Sequence, residues 1–139
     1  MRALGLDVGE RRIGVALSDT LGITAQRLTV IERREPARDV QTAAALVGEH
    51  GAEAVVVGLP LTMRGELGEQ AKRVMTFVEA LRRAVRCPVH LLDERLTTVQ
   101  GERALLATDT PRQKRKRLID QVAAQLILQA YLDARAQSR

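Results

Sequence analysis

The segment Ala3-Leu4-Gly5-Leu6-Asp7-Val8 is apolar at both of its alternating sets of positions, so both faces of the strand it forms must be covered. A strand of this kind belongs at the centre of a sheet with further layers on either side. Asp7 is its anomaly. A carboxylate inside an apolar central strand is costly unless it is paired or metal-bound. The plainer alternative is that Asp7 caps the turn that follows it.

The rest of the chain supplies the layers. Gly9-Glu10-Arg11 reads as a turn, and Ile13 to Leu17 as a second strand close enough to form a hairpin. Residues 26–32 alternate, with Leu28 and Val30 on one face and Arg27 and Thr29 on the other, as in a half-exposed edge strand. The period then changes to that of a helix. Pro36 opens it, Val40, Ala43, Ala44 and Val47 share one stripe, and Gly51 stops it. Ala54 to Val57 is a short apolar strand. A loop through Gly58-Leu59-Pro60-Leu61, Gly65 and Gly68 leads to a helix with Ala71, Val74, Met75, Val78 and Leu81 on its stripe. Val89 to Leu92 is a fifth strand ending in Asp93-Glu94. Thr97 with Gln100 reads as a capping box for a third helix. Thr108-Asp109-Thr110-Pro111 breaks the chain, and a last helix to about residue 135 has Ile119, Val122, Ala123, Leu126 and Ala130 as its core stripe. The order βββαβαβαα predicts an α/β fold: a five-stranded mixed sheet, with an antiparallel meander first and crossovers adding parallel strands. With 139 residues, a single domain over 1–139 is expected.

Charge is uneven. Lys and Arg total 22 against 17 acids, and five of those cations lie in Arg112-Gln113-Lys114-Arg115-Lys116-Arg117, without which the chain would be neutral. A neutral body with one cationic segment suggests a polyanion met at a defined place; a solvated helix start or loop is the plainer reading. No apolar run approaches the roughly 20 residues of a membrane span, and the first residues lack a signal-peptide pattern. The one cysteine, Cys87, lacks an activating neighbour, which points to a structurally neutral thiol and a reducing, cytoplasmic compartment. Phe77 and Tyr131 are the only aromatics, and both sit at apolar helix positions. Stacking platforms for single strands are therefore scarce, which favours recognition of backbone shape.

Two more acids are out of place. Glu94 lies just past the end of the fifth strand. Parallel strands share a carboxyl edge, and α/β proteins bind ligands there, so Glu94 and Asp7 reach one crevice if their strands run parallel. Asp93 should point the other way, pairing with Arg95 or capping the next helix. Asp120 has Ala123, Ala124 and Ile127 at three, four and seven residues, a small apolar flank that would let its helix pack close to the sheet with the acid at the upper end. A helix-start carboxylate favoured by the dipole is the alternative. Converging, three carboxylates suit a hard divalent ion such as Mg²⁺, completed by substrate phosphate. His50 and His90 lack partners at zinc-ligand spacing.

These stretches resemble, in order and over almost the whole chain, the YqgF-type (RuvX-type) family associated with Holliday-junction resolution and pre-16S rRNA maturation. The matching pieces are Gly5-Leu6-Asp7-Val8-Gly9, Arg12-Ile13-Gly14-Val15-Ala16, Ser18-Asp19 and Gly58-Leu59-Pro60-Leu61. They continue in Gly65 with Gly68, in Asp93-Glu94-Arg95-Leu96-Thr97-Thr98, and in Asp120, Ala123-Ala124, Ile127-Leu128-Gln129 and Leu132-Asp133. The resemblance implies an RNase H-like fold, a bacterial cytosolic protein, and Asp7, Glu94 and Asp120 as metal-binding catalytic acids. Gly101 stands where the family usually has alanine, and Asp109 to Gln113 departs from the pattern, as a mobile loop near the substrate would.

The expected activity is thus endonucleolytic cleavage of structured nucleic acid with Mg²⁺ or Mn²⁺. Asp7, Glu94 and Asp120 would hold the metal, Arg12 and Arg95 would orient phosphate, and Arg112, Lys114, Arg115, Lys116 and Arg117 would steer the substrate. The Gly65 and Gly68 loop would border the cleft. The substrate is a 16S precursor or a four-way DNA junction. A ribosomal particle or a second copy would be a further partner, since symmetric junction cutting needs two active sites. The rival reading is a non-catalytic nucleic-acid-binding module on the same fold. Leu6-Asp7-Val8-Gly9 with Arg12 and Gly14 also resembles the phosphate hairpin of actin-like ATPases, but those use two such domains.

Overall fold

In the computed structural model the chain runs β1 (Ala3–Val8), β2 (Arg12–Ser18), β3 (Ala25–Glu32), α1 (Pro36–Glu49), β4 (Ala54–Leu59), α2 (Glu69–Ala84), β5 (Val89–Asp93), α3 (Val99–Asp109) and α4 (Arg112–Gln137). The structure describes the backbone of residues 1–109 and 112–138 and the side chains of 1–106 and 115–138. The strands form one sheet in the order β3-β2-β1-β4-β5. β1 pairs antiparallel with β2 and parallel with β4; β5 runs parallel to β4. The apolar β1 is therefore central, as its two-faced pattern requires, and the carboxyl ends of β1, β4 and β5 share one edge.

Side-chain alternation along β1 splits the core in two. Leu4, Leu6 and Val8 pack with Val40, Val47, Val74, Phe77 and Leu81 of α1 and α2. Ala3, with Ala16, Ala54 and Val56, faces Ala123, Ala124, Ile127 and Leu128 of α4. The α4 side is built from small residues because the helix lies close to the sheet. A Cβ on Gly5 would stand 2.7 Å from the Leu128 Cβ. The side chains of Gln125 and Gln129 hydrogen-bond the Ala25 carbonyl and amide of β3, so α4 also satisfies part of the sheet's edge.

Four local expectations need correction. The buried stripe of α4 is Ala123, Ala124, Ile127, Leu128 and Leu132, whereas Ile119, Val122, Leu126 and Ala130 are half-buried. The expected stripe is rotated because α4 packs on two neighbours, the sheet and α3, and both flanks are apolar. In β3, Val15 pairs with Thr29 and Ala16 with Arg27, leaving Leu28 as the extra residue of a bulge. Leu28 consequently packs on the α1–α2 side while Val30, opposite Gly14, lies on the other face. Residues Glu94–Leu96 form a 3₁₀ turn that the strand pattern did not announce. Thr97 Oγ1 donates to the Glu94 carbonyl at 2.7 Å and accepts the Val99 N–H at 3.3 Å, while the Thr97 amide also donates to the Glu94 carbonyl, so Thr97 closes the 3₁₀ turn ahead of α3 in place of the expected capping box with Gln100. The predicted break falls between α3 and α4, where Thr110 and Pro111 lie outside the described residues.

The turn between β3 and α1 rests on a buried pair. Asp39 accepts from Arg33 Nε and the Arg34 amide, each at 3.0 Å, and Arg33 Nη1 donates to the Gly9 carbonyl at 2.9 Å. This ties the first hairpin turn to α1. Gly51, at φ +62°, ends α1 with the left-handed residue its sequence position implied. Among the described residues no helix is long and apolar enough to cross a membrane.

Candidate active site

Asp7 sits on the α4 side of β1 between two positions without side chains. It pairs with Gly14 of β2, and one step beyond the Leu6–Val57 pair its neighbour on β4 is Gly58. A Cβ on Gly14 would stand 1.9 Å from the Asp120 carbonyl oxygen. One on Gly58 would stand 2.5 Å from Ile127 Cδ1 and 3.1 Å from Glu94 Cγ. These glycines let the α4 backbone and the Glu94 side chain close in on Asp7 from opposite sides. The sequence pattern showed them as family matches; their packing role is visible only once α4 is placed.

The three predicted acids meet at this edge. Asp7 and Glu94 are 6% and 4% exposed, and Asp120 is half-buried at the upper end of the close-packed flank. Burial pushes all three carboxyls above their ordinary range. Asp7 raises Glu94 further, and Asp120 raises Asp7, so the charges feel one another. Against this act two arginines. Arg12 Nε donates to Asp120 Oδ2 at 2.8 Å. Arg103, on α3, donates from Nη2 to Asp7 Oδ1 at 2.8 Å, and its Nη1 stands 3.3 Å from Glu94 Oε1. Arg103 is the residue sequence reasoning missed. The signal was present: it lies four residues after Val99, which is fully buried, so a cation occupies the apolar face of α3 just as Asp120 does on α4.

Arg12, predicted to contact phosphate, is thus the partner of the third acid. Arg95 is held by Asp93, with Nη2 to Oδ2 at 2.7 Å, while Asp93 Oδ1 accepts the Arg95 amide at 2.9 Å. Asp93 therefore caps the 3₁₀ turn and pairs with Arg95, as the plainer reading of that cluster held. The Arg95 guanidinium lies against the turn at Gly65, where a Cβ would come within 3.1 Å of Nη1. The basic run lies on the first turns of α4. Lys116 is exposed, Arg117 pairs with Glu32 at 3.0 Å, and Arg115 is partly buried. The Arg112 and Lys114 side chains lie outside the described residues.

The donor set suits a hard cation. All three acids offer oxygen, and Glu94 Oε1 is buried with no hydrogen bond among the described residues. In this conformation no three His, Cys, Asp or Glu side chains stand together as metal ligands among the described residues. The guanidinium of Arg103 stands between two of the acids, and Arg12 holds the third. Beside Asp120 an open depression of about 500 Å³ is lined by Gly9, Glu10, Arg11, Arg12, Glu69, Gln70 and Arg73, so acids and arginines share it. A larger apolar cavity of about 710 Å³ lies between α1 and α2 on the opposite face of the sheet, away from the acids. Cys87 is half-buried with its thiol pushed up by burial, which makes it a poor nucleophile. His90 stacks on Tyr131 at 5.4 Å between ring centres.

A family model for RuvX, described as Holliday junction resolvase, matches residues 1–134. The chain belongs to the RuvX family. Its relatives include a Moorella thermoacetica protein named "Putative pre-16S rRNA nuclease", 54% identical over 138 residues that make up 99% of each chain. A Chloroflexus aggregans protein of the same name is 54% identical over 132 residues, 95% of this chain and 93% of its own. Among solved structures, Thermus thermophilus RuvC in complex with Holliday junction substrate aligns with a TM-score of 0.60 at 21% identity, over 98% of this chain and 96% of that one. The fowlpox virus Holliday junction resolvase aligns at 0.58 and 12% identity, over 96% and 99%. The fold is accordingly RNase H-like. This RuvX chain is a nuclease, a hydrolase acting on nucleic acid.

Proposed function

We propose that this RuvX protein is a divalent-metal-dependent endonuclease for structured nucleic acid, acting as one domain in the cytoplasm, with Asp7, Glu94 and Asp120 as its catalytic acids. The observation that carries the reading is the convergence of three acids from β1, the end of β5 and α4 on one sheet edge, with a buried Glu94 Oε1 that has no hydrogen bond among the described residues. They would hold Mg²⁺ or Mn²⁺, which when bound supplies Lewis-acid stabilisation of charge on the phosphodiester and a stronger water nucleophile. The chain's own residues do the rest. Asp7 is placed by β1, and its two glycine neighbours admit the α4 backbone and the Glu94 side chain beside it. Arg95 is held at the crevice mouth, and Arg12, beside Asp120, lines the adjoining depression where a phosphate would lie. Arg112, Lys114, Arg115, Lys116 and Arg117 attract the backbone from the start of α4.

The 5′ end of a 16S precursor is the first substrate to test, because relatives half identical over nearly their whole length carry that name. A four-way DNA junction is the second, on the family's description; a second copy of the chain would be needed for paired cuts. Purified protein with Mn²⁺ or Mg²⁺ is offered both substrates side by side, with Asp7→Asn as control. Cleavage of one that vanishes in Asp7→Asn while binding persists is the expected result. Undiminished cleavage by Asp7→Asn would sink the site assignment. Binding without cleavage of either substrate would favour a binding module or a missing ribosomal partner.

A further inference from the structure

Arg103 bridges two carboxylates that come from different strand ends. Its Nη2 is 2.8 Å from Asp7 Oδ1 and its Nη1 is 3.3 Å from Glu94 Oε1. The guanidinium comes from α3, is about one-third exposed, and is the counter-charge of both buried acids. Its geometry toward them is unequal: it forms a 2.8 Å hydrogen bond to Asp7, but only a longer ion pair at 3.3 Å to Glu94 Oε1, which has no hydrogen bond among the described residues. A salt bridge built for stability would satisfy both partners, because an unmet buried acceptor is expensive. One cation thus sits between the oxygens that the proposed active site offers to a metal, and it holds one of them only loosely.

Resting on that reading of the acids, we propose that Arg103 is a built-in competitor for the divalent ion: its guanidinium partly offsets the charges of Asp7 and Glu94 in the metal-free protein and is displaced when the ion enters. Two cations cannot share the two carboxylates without strong repulsion, and the more highly charged ion gains most at the oxygen that the guanidinium holds only at 3.3 Å. Arg103 is therefore a positioning residue. It holds the acids together before metal arrives, and it sets how much metal is needed.

The test is titration of Mn²⁺ alone by calorimetry into the wild type, Arg103→Met, Arg103→Lys and Asp7→Asn. Arg103→Met removes the competing charge at similar length and should bind Mn²⁺ tighter by about fivefold or more. Arg103→Lys keeps the charge and should stay near wild type, and Asp7→Asn should lose binding. A residue that merely props up the site would move affinity the other way. In the wild type, where folding is not in question, saturating Mg²⁺ should remove the exchange protection of the Arg103 guanidinium protons in ¹⁵N NMR spectra. Wild-type binding with equal or weaker affinity in Arg103→Met, or a guanidinium signal unmoved by Mg²⁺, would overturn the competitor while leaving the metal site standing. No Mn²⁺ binding by the wild type would overturn both.

Discussion

Gly14 and Gly101 are the same residue under opposite constraints. A Cβ on Gly14 would lie 1.9 Å from the Asp120 carbonyl oxygen, so alanine there must push α4 away from β2 and carry Asp120 off Asp7. Gly14→Ala should cost about 1–3 kcal/mol in urea denaturation, as other overpacked core positions do. An unchanged midpoint would mean that α4 does not rest on β2. Gly101 lies in the first turn of α3 with nothing within 4 Å of an added Cβ. Gly101→Ala should stabilise by about 0.5–1 kcal/mol in the same assay, and a loss would mean that this turn is not helical in solution. At this scale sequence contrast was informative where one charge stood in an apolar setting, as for Asp7. Arg103 escaped because the apolar residues of α3, Val99 and the consecutive run from Ala104 to Ala107, do not form one stripe with which its position could be contrasted.

The elements place charge in an unusual way. α4 has no acid in its first turn and begins with the basic run, although cations at a helix N-terminus oppose the helix dipole. The exposed Arg117–Glu32 pair offsets little of that. Such an arrangement makes sense if the charges serve a polyanion rather than the helix. Lys116→Gln with Arg117→Gln should therefore leave the melting temperature unchanged or slightly raised while weakening nucleic-acid binding. The slope of log affinity against log salt should fall by about 1 for each phosphate that is no longer neutralised. Equal affinity and slope would assign the run to plain solvated surface. The existence of every helix and strand was legible from the change of period at Pro36 onward. The face of α4 was not, because a helix with two apolar flanks does not announce which one the sheet will take, and the bulge at Leu28 depends on β2 as much as on β3.

Across the whole molecule the sheet separates two helical layers, and all three acids lie on the α3–α4 side or at its edge. Metal should therefore be felt on one side only. In hydrogen exchange, saturating Mg²⁺ should slow the amides around Glu94 and in the first turns of α3 and α4, while those of α1 keep their rates. Protection centred on α1 and the cavity between α1 and α2 would place the metal elsewhere. The layered design also explains why an apolar cavity larger than the crevice can exist without a part in this chemistry: it faces the opposite side of β1.

The sequence by itself determined the order of elements, the central place of β1, and the acids worth examining, because periodicity and a charge in apolar surroundings are local properties of the chain. Only the tertiary structure decided that Gly14 and Gly58 flank Asp7 and admit α4 and Glu94, that Arg12 belongs to Asp120, and that Arg103 bridges Asp7 and Glu94. Those facts depend on how closely segments far apart in the chain approach one another. Packing distances of that kind arise only when the helical layer meets the sheet, and no single segment encodes them.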